Sequence, residues 1–124
     1  MHIEKLSEFT NDSILLLSDA MGDYQDGYRI EVETGMSELW CINGGESFCI
    51  TRLEKYDTLT ILVMCCYGGL TYTTNLRNFC KHIVKVSEAN NWVLRLHTEN
   101  PRIAKFYQNH FGFNKPEFVL KRGY

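Results

Sequence analysis

The spacing of apolar positions changes several times along the chain, and each change marks an element. "MHIEKLSEF" alternates apolar and polar residues and predicts a first strand within residues 1–9. In "NDSILLLSDAM" an Asn-Asp-Ser start precedes an apolar run, the layout of a capped helix. "YQDGYRIEVETG" is turn-rich and ambiguous. Three strand-like runs follow, "SELWCI", "ESFCITRLEKY" and "LTILVMCC", separated by turns at "NGG" and "YDT". Asn43-Gly44 is a strong hairpin signal, because both residues tolerate positive φ. The third run is apolar almost throughout, which places it centrally with both faces covered.

After "YGGLTYTT" the period lengthens. Leu76, Phe79, Cys80, Ile83 and Val86 or Ser87 form one helical stripe, with Thr73 or Thr74 as the expected cap. "WVLRLHT" then reads as a strand, "NPRIAKFYQNHF" as a helix and "EFVLKR" as a last strand. In that helix Asn100 suits the cap and Pro101 the first helical position, where no backbone donor is missed. Ile103, Phe106, Tyr107, His110 and Phe111 share the face turned to the sheet. Gly112 suits a left-handed helix end, with Phe113 folded back as its hydrophobic contact. On this reading Tyr107 is a core aromatic with its hydroxyl satisfied. The order β-α-β-β-β-α-β-α-β is an α/β layout with a mixed sheet.

Composition narrows the chemistry. A chain of 124 residues predicts one domain, residues 1–124, able to bury a core without staples. A formal charge of −2 supplies no positive field to collect phosphates, which argues against a nucleic-acid partner. No apolar run reaches the roughly 20 residues that cross a bilayer, and "MHIEKLSEF" lacks a signal-peptide layout. The five cysteines are odd in number, without CxxC spacing, and sit in apolar runs. Neither a zinc site nor a disulfide framework follows, and the plain reading is buried thiols in a reducing cytoplasm. A nucleophilic Cys65 or Cys66 would need a base beside it, and the sequence locates none.

The last helix carries a resemblance. A strand followed by N-x-x-x-A-x-F-Y-x-x-x-x-G-F, here Asn100, Ala104, Phe106, Tyr107, Gly112 and Phe113, resembles the C-terminal motif of the GNAT superfamily of N-acetyltransferases. The resemblance runs from about Glu38 to Arg122. It implies a GNAT-like α/β fold, a mixed, mostly antiparallel sheet with a central parallel pair splayed apart and flanked by helices. It further implies that acetyl-CoA is the cofactor, that Asn100 contacts coenzyme A, and that Tyr107 protonates the departing thiolate. The splay is expected near Met64 and Cys65, where pantetheine would enter.

The superfamily's pyrophosphate signature, R/Q-x-x-G-x-G/A, falls on "GGLTYT" when counted back from Asn100. Gly68 and Gly69 open it, but Gly68 stands in the basic or amide place, and Thr71 and Thr73 stand where small residues are expected. Bare backbone amides and a helix end grip phosphate best, so the departure implies weakened acetyl-CoA binding. For a general base, "TLTILVMCC" offers no acid; Glu54, Asp57 and His97 lie nearby in sequence. His97 has a suitable unperturbed pKa, and its alternative is a structural place at a strand end. Arg102, Lys105, Lys115, Lys121 and Arg122 tint the C-terminal third basic, as a solvated face or as a contact for an adenosine phosphate. Two functions remain open. One is acetyl transfer to an amine of a small molecule or protein. The other is a catalytically silent GNAT-fold binding or assembly protein, as small bacteriophage GNAT-like proteins would suggest, working in the host cytoplasm or the virion.

Overall fold

The computed structural model describes residues 1–69, 72–96 and 101–111 together with Phe113; the side chains of residues 72, 73, 101, 103 and 110 are outside the description. The elements run β1 (Ile3–Leu6), α1 (Asn11–Met21), a short 3-10 turn (Gly22–Tyr24), α2 (Gln25–Glu33), β2 (Glu38–Ile42), β3 (Ser47–Lys55), β4 (Thr60–Gly69), α3 (Tyr72–Ala89), β5 (Val93–Leu96) and α4 (Pro101–Phe111). The expected last strand "EFVLKR", and Gly112 as helix end, lie outside the described residues.

The five strands form one sheet in chain order, antiparallel from β1 through β4. β5 then pairs parallel to β4, from Ile61↔Val93 to Met64↔Leu96, with α3 as the crossover. Parallel neighbours require such a long connection, and the change of period after residue 74 had called for one. Among the described strands the sheet is therefore mixed, the antiparallel run ending in the parallel β4–β5 pair, with helices on both faces. α1 and α2 pack on one face around Leu17, Val32, Leu39, Phe48, Ile50 and Val63. α3 and α4 pack on the other, around Ile42, Cys49, Met64, Leu76, Phe79 and Tyr107. β4 is buried from Ile61 through Tyr67, as its unbroken apolar run predicts. Burying a side chain the size of Phe79 stabilises the fold by about 2–3 kcal/mol.

Local chemistry explains most boundaries. Thr10, one residue before the expected Asn-Asp-Ser start, caps α1. Its Oγ1 accepts from Ser13 N at 3.2 Å, while Ser13 Oγ accepts from Thr10 N at 2.8 Å, a reciprocal capping box. The β2–β3 hairpin turns through Asn43, Gly44 and Gly45, all at positive φ. α3 ends in a Schellman motif: Asn91 adopts φ 56°, its N–H bonds Glu88 O at 3.2 Å, and Trp92 N bonds Ser87 O at 2.8 Å.

Two sequence expectations need correction. α3 begins at Tyr72, so Thr73 and Thr74 lie inside its first turn and not at its cap. The ambiguous stretch after Tyr24 is α2, whose Val32 is buried and whose Tyr28 packs against the core.

Candidate functional site

Met64 and Cys65 sit beside the last described pair of the parallel strands, Met64↔Leu96, and β4 runs on to Gly69. At the same place the β3–β4 register shifts, from Ile50↔Cys66 to Thr51↔Met64, so Cys65 is the extra residue of a β-bulge. The bulge breaks the alternation of faces. Met64 points to the α3 face, whereas Cys65 and Cys66 both point to the α1 face. Burial pushes the Cys65 thiol up to about 12 despite the nearby Arg52 guanidinium. Burial likewise raises Cys66, although a hydrogen bond from Tyr28 opposes it. Both are protonated at neutral pH and are not nucleophiles.

Gly68 and Gly69 are the last two residues of β4, in the ladder opposite Phe48 and Ser47. Each is glycine for a packing reason. A Cβ on Gly68 would run into the Leu16 carbonyl of α1, with the carbonyl carbon itself at 2.9 Å. A Cβ on Gly69 would collide with Ser47 and stand 2.7 Å from Glu46 O. The space left at Gly69 is used: Ser47 Oγ accepts from Asn75 Nδ2 at 3.1 Å, and Asn75 Oδ1 accepts from Asn43 Nδ2 at 3.0 Å. Asn43 in turn holds β1, accepting from His2 N at 3.0 Å. This chain of bonds fixes the first turn of α3 against the β2–β3 hairpin.

Residues 70 and 71 alone separate β4 from α3. Thr71 lies outside the described residues, and of Thr73 only the helical backbone is described. The first turn of α3 presents backbone N–H groups without helical acceptors and carries no acidic residue, a setting that favours an anion. His97 and Asn100 also lie outside the described residues.

Tyr107 is 4% exposed on α4, within the cluster of the α3 face. Its ring meets Phe106 and Phe113, each with centroids at 5.9 Å, so Phe113 folds back as the helix-end pattern predicts. The tyrosine lies beside Cys80 on α3, whose thiol burial pushes up to about 12 although hydrogen bonding with Tyr107 opposes the rise. Arg77 of α3 lies over the Phe106 ring at 5.9 Å.

On the α1 face, beside the bulge, stands a polar cluster that sequence reading missed as a unit. Glu31 is 6% exposed, and its Oε1 accepts from Ser37 Oγ at 2.8 Å and from Arg52 at 3.2 Å. Arg52 also reaches Glu54 at 3.4 Å. Burial alone would raise the Glu31 carboxyl, but donation from Tyr24, Ser37 and Arg52 outweighs it and holds the group below the usual range. A carboxylate so fully engaged is a poor base. The alternation of β3 carried part of the signal, since Arg52 and Glu54 fall on the face of Phe48 and Ile50. Glu31 could not be placed without α2. Among the described residues no group of side chains is suited to a metal ion, and no helix is long and apolar enough to cross a membrane.

No family model matches the sequence, and no curated protein matches it. Solved structures do resemble it. A probable acetyltransferase superposes with a TM-score of 0.64 at 12% identity, covering 100% of this chain and 97% of that one. A putative acetyltransferase from Agrobacterium tumefaciens gives 0.64 at 13% identity, covering 98% and 100%. A GNAT-family acetyltransferase from Streptococcus pneumoniae gives 0.58 at 15% identity, covering 98% of each. At these identities the likeness establishes the fold, which is GNAT-like along nearly the whole chain.

Proposed function

We propose that the protein is an acetyl-CoA-dependent N-acetyltransferase acting on an amine. The observation that carries this reading is the parallel β4–β5 pair joined by α3, in a fold shared with acetyltransferases over nearly its full length.

The residues suit the roles unequally. The first turn of α3 fits the pyrophosphate, with the positive end of the helix dipole and no acidic side chain. Acetyl-CoA, when bound, supplies an activated acetyl thioester. Met64 and Cys65 are assigned to the border of the gap that would take pantetheine, and Asn100 to a contact with coenzyme A. Gly68 and Gly69 contribute by letting β4, α1 and Ser47 pack closely, which sets where α3 begins. Gly68 offers no bare loop amide, because it belongs to the strand. Thr71 and Thr73 are assigned to the pyrophosphate end, where threonine hydroxyls would serve as additional donors. Tyr107 is the proton donor to the leaving thiolate, for which its hydroxyl must exchange Cys80 for the gap. His97 is the candidate base.

A second reading is a silent binding module. It is favoured by the commitment of Tyr107 to Cys80 and of Glu31 to three donors. A melting series with acetyl-CoA, run beside mass-detected acetylation of an amine panel, separates the two. Ligand at a hundredfold excess over its dissociation constant stabilises the native state by about 2.7 kcal/mol. A melting shift with turnover supports the transferase. A shift without turnover favours the binding module, and no shift at millimolar ligand overturns the acetyl-CoA reading.

A further inference from the structure

At the other end of α3 the helix does not close onto the sheet. A groove of about 200 Å³ lies between the C-terminal half of α3 and strands β1 to β4. Leu53 and Leu62 form its floor, and Phe79, Ile83 and Val86 of α3 form one wall. Trp40 and Trp92, both partly exposed, join the lining with Ile3, Glu38, Thr51 and His82.

Two local devices build these indoles into the wall. The Schellman end of α3 brings Trp92 back beside Val86, the pairing of positions that such a helix end favours. Trp40 is fixed by its Nε1, which donates to Thr51 Oγ1 at 2.8 Å across the β2–β3 pair. The indoles are thus held in place before any ligand arrives, which lowers the ordering cost of binding.

Charge gives the groove its sign. Among the described residues Glu38 is the only formally charged side chain in the lining when His82 is counted neutral. Among the described residues it makes no ion pair. Lys5 faces Trp40 in the β1–β2 register but is exposed and not part of the lining. Aromatic walls with one unpaired carboxylate favour a cation and disfavour an anion. The volume exceeds the roughly 150 Å³ that accommodates a benzene ring, leaving room for a short chain beyond it.

We propose that this groove is a binding site for a small organic monocation, an aromatic ring on a short alkylammonium arm, with the ring between the tryptophan walls and the ammonium against Glu38. The site stands independently of acetyl transfer. It lies by Val86 and Trp92, whereas the candidate pyrophosphate site lies at the opposite end of an 18-residue helix, a span of about 27 Å.

The chain contains two tryptophans, and both line the groove, so their emission reports on it directly. Titration with phenethylamine should produce a saturable change in that emission. Phenethyl alcohol should bind at least about tenfold more weakly, and so should the amine to a Glu38→Gln variant whose melting is unchanged. Phenylacetate should give no saturable change. Val86→Phe, which fills the groove from its helix wall, should abolish the amine response even if Glu38→Gln proves hard to fold. Absence of a saturable response to the amine, equal affinity for amine and alcohol, or an unaltered Glu38→Gln titration would each overturn the proposal.

Discussion

The two faces of the sheet meet their helices in opposite ways. On the first, α1 approaches β4 so closely that only glycine fits at residue 68, and the polar side chains around Glu31 are tied to one another. On the second, Phe79 and the two tryptophans stand between α3 and the strands, and a groove remains. The difference is one of spacer size. Backbone against backbone excludes every volume larger than a hydrogen atom, whereas large rings meet at their edges and leave gaps between them. A face that is closed this way can stabilise; a face that is propped open can also receive something.

The sharpest way to break this contrast is to add volume to each face. Gly68→Ala should destabilise by about 3 kcal/mol, because the obstructing atoms are backbone and cannot rotate away. Val86→Ile, which adds a methylene beside the groove, should stay within about 0.5 kcal/mol. Chemical denaturation of the two variants checks both, and equal losses would erase the distinction between the faces.

A smaller effect tests the closed face by pH. The folded Glu31 carboxyl lies below its ordinary value of 4.5, so its stabilisation is fully present above that pH and disappears as pH falls through the folded value. Glu31→Gln should cost about 2 kcal/mol near neutrality. The gap to wild type should narrow as the pH is taken below 4.5. A gap that stays constant into acid would show that the carboxylate charge contributes nothing.

A smaller loss than at Glu31 is expected for Tyr107→Phe on the propped face. Losing the bond to Cys80 should cost about 1 kcal/mol, with the surrounding rings unchanged. Turnover measured alongside, where acetylation is detected, should fall by about 10²-fold or more if the hydroxyl is the proton donor. Unchanged turnover removes Tyr107 from the mechanism and leaves it a core residue.

Sequence reading succeeded where the cause is local. Asn43-Gly44 announces its own positive φ, Pro101 its place at the first helical position, and the apolar run of β4 its burial on both sides. It failed where the cause is a distant partner. Why residue 68 must be glycine is invisible locally, because nothing near it mentions Leu16, some fifty positions earlier. α2 escaped notice because Gly27 and its charged neighbours weaken the helical stripe, and its support comes from the core beneath Tyr28 and Val32. The site suffered most. Glu31, Ser37 and Arg52 converge only once α2 is laid beside β3, and the bulge that turns Cys65 and Cys66 to one side exists only in the pairing with Ile50 and Thr51.

The five buried thiols have a consequence of a different kind. Cys41, Cys49, Cys65, Cys66 and Cys80 are all free, and they are distributed over β2, β3, β4 and α3. None can meet an alkylating reagent until its own element separates from the sheet. Labelling of each sulfur therefore records the opening of one particular segment, much as amide exchange does. Cys41 would respond to departure of β2 and Cys80 to lifting of α3, so the molecule carries an internal clock for the order in which its layers come apart.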